Sequence, residues 1–535
     1  MNTLVPGCAD ITAQPSLGMN NLLGRRGASA LAGTVIGVLS GVLVVRSPST
    51  ALAIALAAPV LLLTSLRTKV LGALFVLPLI GWLTIQIPGS ATRAIPGAIL
   101  FVILGHLAWE WAIARVRLPI GRRYVVLVLL FAGAVFVQIW NPIILAVGGG
   151  LTGGRSYLAP LAMFLAGLAV VRGKVDARAV LKTLVVSSLV VNAYMLKQLI
   201  GGFDAAEITY WSSRPVGITS EHKLFSTLVS PDKYGFMAAV FVIACLAARH
   251  AGVWPRISLL AALLSGLGVL VCGIRIVLAG LVVGGAAYLV AQFRSRRSSW
   301  SALRILLIAG ATLLVLVIAV IATPVQPRYA VGVGHNPVAT AINKLALLKE
   351  GTADPDLESR IVRAKEFFAY IDRHPWGAGP EIIDSLSQGA LTIDQSGALT
   401  QKSQTGTGTV STRLPPLPAY MLDQPWIFQH DYFFIDVAVE LGLLPLILFI
   451  LLLVRGATLA FREARSRVGE PEIHSLLCLA GAGILIALVV NLTNETLRAP
   501  ETASFLWFFM AMPIALAVPA GRRSVVKRPA VDSAS

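Results

Sequence analysis

Residues 249–297 read RHAGVWPRISLLAALLSGLGVLVCGIRIVLAGLVVGGAAYLVAQFRSRR. Two apolar runs, 257–273 and 275–293, meet at Arg275, and no other charged residue falls inside them. Each approaches the roughly 20 residues that a helix needs to cross a bilayer. Arg249 and Arg256 precede the pair, and Arg294, Arg296 and Arg297 follow it. Basic residues gather on the cytoplasmic side of membrane proteins. The stretch therefore reads as a hairpin of two transmembrane helices whose open ends face the cytoplasm.

The rest of the chain has the same texture. Apolar residues make up 56% and charged residues 13%, and the mean hydropathy is +0.78. Soluble domains run near about 45–50% apolar and about 25% charged. The net charge of +18 would suit nucleic acid in a soluble protein, but here the basic residues stand between apolar runs, so nucleic-acid binding is excluded in favour of membrane orientation. Cys8, Cys245, Cys272 and Cys478 have no metal-site or disulfide spacing and read as packing residues. The sequence also lacks a Walker loop, a dinucleotide fingerprint and a His-Glu-x-x-His motif.

Extending the hairpin reading predicts an all-α polytopic membrane protein of about fourteen transmembrane helices, near 28–45, 51–66, 70–87, 95–114, 124–141, 157–171, 180–200, 234–248, 257–273, 275–293, 305–323, 437–454, 476–492 and 503–519. Basic residues test the count. The predicted inner segments hold two to four each, for example Arg115, Arg117, Arg122 and Arg123, whereas Arg46, Arg93, Arg155, Arg275 and Arg498 stand singly in short outer loops. Removing one helix would invert every later assignment. The tails 1–27 and 520–535 are then cytoplasmic, helices one to eleven fill 28–323, and helices twelve to fourteen fill 437–519. Two outer loops are long, 201–233 and 324–436. Within the larger, 358–373 has the apolar spacing of an amphipathic helix, so this periplasmic loop is expected to contain short helices, and 396–418 has the Ser, Thr, Gly and Pro content of a flexible linker.

Ionisable residues near the bilayer are costly and usually have a partner or a task. Arg275 opens its helix from the outer side, where a cation opposes the helix dipole unless an anion joins it. Arg214 lies in SSRPVGITSEHK, and Asp232 in SPDKYG is placed to cap the helix that follows. Arg155 occupies a similar outer position. His430 precedes the twelfth helix, with Asp431 or Asp436 placed to orient it as a base. His106 and Glu110 share a helix face and read as a structural pair. Asp354-Pro355-Asp356 is a weak metal motif, and no metal site is predicted.

Four pieces in order carry a resemblance: Arg214-Pro215-x-Gly217 with Ser230-Pro231-Asp232-Lys233-Tyr234-Gly235; Gly273-Ile274-Arg275; Arg373-His374-Pro375-Trp376-Gly377-Ala378-Gly379-Pro380; and His430-Asp431-Tyr432-Phe433-Phe434 with Glu440-Leu441-Gly442-Leu443-Leu444. Over residues 140–515 the chain resembles the O-antigen ligase and polymerase superfamily of bacterial envelope glycosyltransferases. The resemblance implies an inner-membrane enzyme that moves a glycan from an undecaprenyl-diphosphate carrier to an acceptor sugar on the periplasmic side. It implies no metal or other cofactor, and inversion at the anomeric carbon. Carried over, Arg214 and Arg275 hold the diphosphate, His430 is the general base, and Arg155, Asp431 and Asp232 support them. The acceptor would be another lipid-linked repeat unit in a polymerase, or lipid A core in a ligase. Membrane lipids surround the enzyme, and other polysaccharide-assembly proteins are expected partners. Asp431, where the family usually carries Asn, Ser or Gln, and the long stretch 381–428 turn the reading towards a polymerase. The reading of another class is a flippase for lipid-linked glycans.

Overall fold

The computed structural model describes residues 64–87, 90–114, 122–141, 150–212, 224–295, 371–372, 375–377, 379–380, 391–393, 399–405, 408–413 and 432–517. Eight of these helices are long and apolar enough to cross a membrane, and three shorter apolar helices accompany them. The chain is an α-helical membrane protein. In order the elements are α1 (Leu66–Val76), a short 3-10 turn, α2 (Ile80–Gln86), α3 (Ser90–Ala114), α4 (Arg122–Ile139), α5 (Gly150–Leu158), α6 (Leu161–Val170), α7 (Lys174–Gly201), α8 (Ala205–Ser212), α9 (Pro231–His250), α10 (Pro255–Val271) and α11 (Arg275–Ser295). Then come strands β1 (Leu391–Ile393), β2 (Leu399–Thr405) and β3 (Gly408–Arg413), followed by α12 (Phe433–Leu441), α13 (Leu443–Ser466), α14 (Pro471–Val490) and α15 (Pro500–Ala517).

The predicted runs between 70 and 293, and those between 437 and 519 as far as residue 517, fall on described helices apart from residues at their ends. The runs 28–45 and 305–323 lie outside the described residues, as does 51–66 except for its last residues. Contacts at the helix ends agree with the charge alternation. At one end Arg67 pairs with Asp176 at 3.0 Å, Lys182 lies 5.3 Å from the Trp254 ring, and Arg467 donates to the Leu516 carbonyl at 3.1 Å. At the other, Gln86 meets Asp204 at 3.2 Å, Gln138 meets Trp376 at 2.6 Å and Lys233 meets Glu501 at 3.5 Å. Each pair joins residues that the charge pattern assigns to one side.

Three boundaries differ from the sequence reading. The run 437–454 is two helices, because Gly442 adopts φ +96° and ends α12 one residue before α13 starts. The run 157–171 belongs to a span that starts earlier, at Gly153, and turns at Ala159–Pro160. The linker 396–418 is not wholly irregular: β1, β2 and β3 form an antiparallel sheet, with Thr405 opposite Gly408, so the loop region departs from all-α. Its Thr and Val residues are β-formers hidden in a composition that looks like linker. Of 358–373, only Ile371 and Asp372 are described, and both are helical.

Helices pack in lipid through small residues and interhelical hydrogen bonds. A Cβ on Gly284 would lie 2.5 Å from Ile486 Cγ1 and 2.9 Å from the Ala482 carbonyl oxygen, so α11 seats directly on the α14 backbone. Ser188, Asn192, Ser265 and Tyr234 tie α7, α10 and α9 together: the Ser188 and Ser265 hydroxyls are 2.9 Å apart, and Tyr234 donates to Asn192 at 3.0 Å. Gly284→Ala is expected to destabilise the bundle by about 1–3 kcal/mol in a detergent thermal-unfolding assay. Gly285→Ala, whose new methyl would meet only Ile243 Cδ1 at 3.9 Å, serves as the neutral control.

Candidate functional site at one end of the bundle

The described parts of the four sequence pieces meet in two pairs at the same end. Gly235 lacks a side chain where Cys272 Sγ and Val277 approach, 2.8 and 3.0 Å from an added Cβ, so the Ser230–Gly235 piece lies against the start of α11. Gly377 and Gly442 are also in contact, both with positive φ. A Cβ on Gly377 would lie 2.6 Å from the Gly442 nitrogen, and one on Gly442 would lie 2.7 Å from the Pro375 carbonyl oxygen. Two backbone hydrogen bonds join these segments, Gly379 N–H to Glu440 O at 2.8 Å and Leu443 N–H to Pro375 O at 2.9 Å. Gln138 and Asn141, where α4 ends, donate to the Trp376 and Gly377 carbonyls at 2.6 and 3.2 Å.

Below this turn lies a buried ionic cluster. Glu440 is fully buried; it accepts from Tyr157 at 2.7 Å and from Arg498 Nη2 at 2.6 Å. Arg498 Nη1 lies 3.7 Å from Asp436, one helical turn before Glu440. The turn that presents Arg498 is built locally. Asn491 Oδ1 accepts from Thr496 Oγ1 and from the Leu497 N–H, each at 3.0 Å, and the Asn494 carbonyl accepts from the Phe433 N–H at 3.2 Å. Lys233 and Glu501 link α9 to the first turn of α15, three residues past Arg498. The floor is aromatic, with Phe433, Phe449, Phe131 and Trp507 in mutual contact at 5.3–6.1 Å between centroids.

A second network anchors the start of the loop 201–233. Asp204 and Glu207 cap α8 reciprocally: the Asp204 N–H donates to Glu207 Oε2 at 2.6 Å, and the Glu207 N–H donates to Asp204 Oδ1 at 2.9 Å. Lys197 pairs with both carboxylates at 3.1 and 3.0 Å. Gln198 joins Glu207 at 2.6 Å and receives the Ser226 N–H at 2.8 Å, so both ends of the stretch carrying Arg214 are fastened to α7.

The predicted site residues fare differently. Arg275 is the first residue of α11, half-buried, two residues after Gly273 with φ +69°. Asp232 is not the cap. Ser230 holds the N-cap position with extended backbone, Pro231 follows, and Asp232 in the first turn accepts the Ser230 hydroxyl. Arg155 is exposed on α5, while Tyr157, two residues on and so across the helix, turns inward to Glu440. Arg214, His430 and Asp431 lie outside the described residues, as do Asp354 and Asp356. His106 Nε2 donates to Glu110 at 3.1 Å and the ring also meets Lys69, which makes the pair part of a three-residue chain. Among the described residues no cluster of His, Cys, Asp or Glu could hold a metal ion.

Sequence reasoning passed over Tyr157 and treated Arg498 as an ordinary outer-loop charge. The available signal was an acid in VAVELGLL and a base in NETLRAP, each beside an apolar run and each needing an opposite charge. No protein-family model and no curated protein matches this chain.

Partial burial pushes the Asp204 carboxyl upwards, but the Glu207 N–H, Lys197 and Gln86 outweigh it and hold Asp204 below the ordinary carboxylate value. A group depressed in this way stabilises the fold above its unfolded-state value, and the contribution disappears as pH falls through the lowered value. Thermal unfolding of wild type and Asp204→Asn should therefore differ most near neutrality and converge in acid.

Proposed function

We propose that this protein is a membrane glycosyltransferase that transfers a glycan from an undecaprenyl-diphosphate carrier to an acceptor sugar, as a polymerase of polysaccharide repeat units. The observation that carries the reading is the meeting, at one end of the bundle, of sequence pieces that lie far apart in the chain: Ser230–Gly235 against the start of α11, and Pro375–Gly379 against Glu440–Leu443. That end is the one the basic residues assign to the periplasm. In this reading the protein has fourteen spans in the bacterial inner membrane, with both termini cytoplasmic and the large loop periplasmic.

The chemistry follows from the residue types. Arg275 and Arg214 grip the donor diphosphate through paired N–H groups and stabilise the charge that builds on it. His430 removes the proton from the acceptor hydroxyl. The acceptor oxygen bonds to the anomeric carbon as the carbon–oxygen bond to the diphosphate breaks. Undecaprenyl diphosphate leaves with the bonding pair, and the configuration inverts. Asp431 is placed next to the base to orient it.

Deletion of the gene, complemented with wild type, Arg275→Ala or His430→Ala at matched membrane levels, tests the reading on a gel of surface glycans. Wild type is expected to restore polymer, and both variants are expected to leave single lipid-linked repeat units. Accumulated long lipid-linked chains would identify a ligase instead. Normal glycan from both variants would contradict the assignment.

A further inference from the structure

The ionic cluster is an expensive way to join helices. Taking a guanidinium and carboxylates out of water costs several kcal/mol per ion, and apolar groups of the same shape commonly stabilise as well or better. Its geometry nevertheless specifies more than an apolar contact could. Arg498 reaches two carboxylates one turn apart on α12, at Asp436 and Glu440. It therefore fixes both the depth of α12 and its rotation about its own axis. Tyr157 occupies the second Glu440 oxygen from α5. The backbone of that same glutamate then receives the Gly379 N–H, and Leu443 N–H reaches Pro375.

We infer that Glu440, Arg498 and Tyr157 are positioning residues: from inside the bundle they set the register between α12 and the turn Pro375–Pro380, and through it the geometry of the transfer site. The inference rests on the transferase reading for the word transfer, and on the contacts alone for the register. Rotating α12 would carry Glu440 O away from Gly379 and part the Gly377–Gly442 contact, which tolerates no side chain on either partner. In sequence, α12 begins three residues after His430.

The test uses the full chain in lipid nanodiscs, with Tyr157→Phe, Glu440→Gln, Arg498→Met and the triple variant Asp436→Asn/Glu440→Gln/Arg498→Met. Hydrogen exchange is followed in peptides covering 375–380 and 432–443, and transfer kinetics are measured in parallel. Each single variant should speed exchange in those peptides by about tenfold or more while α14 is unchanged, as expected for a lost hydrogen bond to a charged group. Each should lower kcat by at least about tenfold and leave the donor KM within about twofold. The triple variant, with no charge of the cluster left unpaired, should regain the unfolding temperature but not kcat. Unaltered exchange in Glu440→Gln would overturn the inference. So would a triple variant that regains both stability and kcat, since the cluster would then only hold the fold together. Faster exchange in a protein whose wild type transfers nothing would support the register and count against the transferase reading.

Discussion

A guanidinium buried against two carboxylates within a membrane bundle is the interaction on which this end of the molecule depends. Lipid offers no partner for a stray charge, so Arg498, Asp436 and Glu440 must satisfy one another inside the protein. Removing one member leaves an uncompensated ion, at a cost of about 3–5 kcal/mol in comparable buried pairs. The elements that supply the cluster, α5, α12 and the turn before α15, are thereby held together. The turn Pro375–Pro380 is then fastened to α12 by backbone hydrogen bonds and by two facing glycines.

The rest of the bundle supplies a frame for that cluster. Small residues let α11 lie on the α14 backbone, and the Ser188–Asn192–Ser265–Tyr234 network fixes α7, α9 and α10. The aromatic floor closes the space beneath the charges. The reciprocal cap of α8 and the grip of Gln198 on Ser226 hold the ends of the 201–233 loop. Polar groups are dense at the end that carries the candidate site, while close packing and the Ser188–Asn192–Ser265–Tyr234 hydrogen bonds hold the rest of the bundle.

Helices were legible in the sequence because the bilayer imposes a length and an apolar surface that few other structures share. Basic residues such as Arg67 and Lys182 give an expected alternation of ends, and the structure pairs both with residues that the same expectation groups with them. What local pattern could not show was the break at Gly442, which depends on the turn at Pro375 pressing against it. The strands at 391–413 were hidden because Ser, Thr and Gly serve linkers and hairpins alike. At the site, Glu440 and Arg498 were visible as isolated charges, but their pairing spans 58 residues and only the fold brings it about. Asp232 falls two residues past the N-cap, because Ser230 and Pro231 set the helix start before it.

The central claim is tested most directly with purified protein in nanodiscs, given an undecaprenyl-diphosphate-linked glycan in the presence of a metal chelator. Mass spectrometry follows the carrier and the sugar products. The account predicts one undecaprenyl diphosphate released for each new glycosidic bond, with inverted anomeric configuration, and no release from His430→Ala. A folded wild-type protein that leaves the carrier joined to its glycan, or that only moves the intact donor across a bilayer, would contradict it.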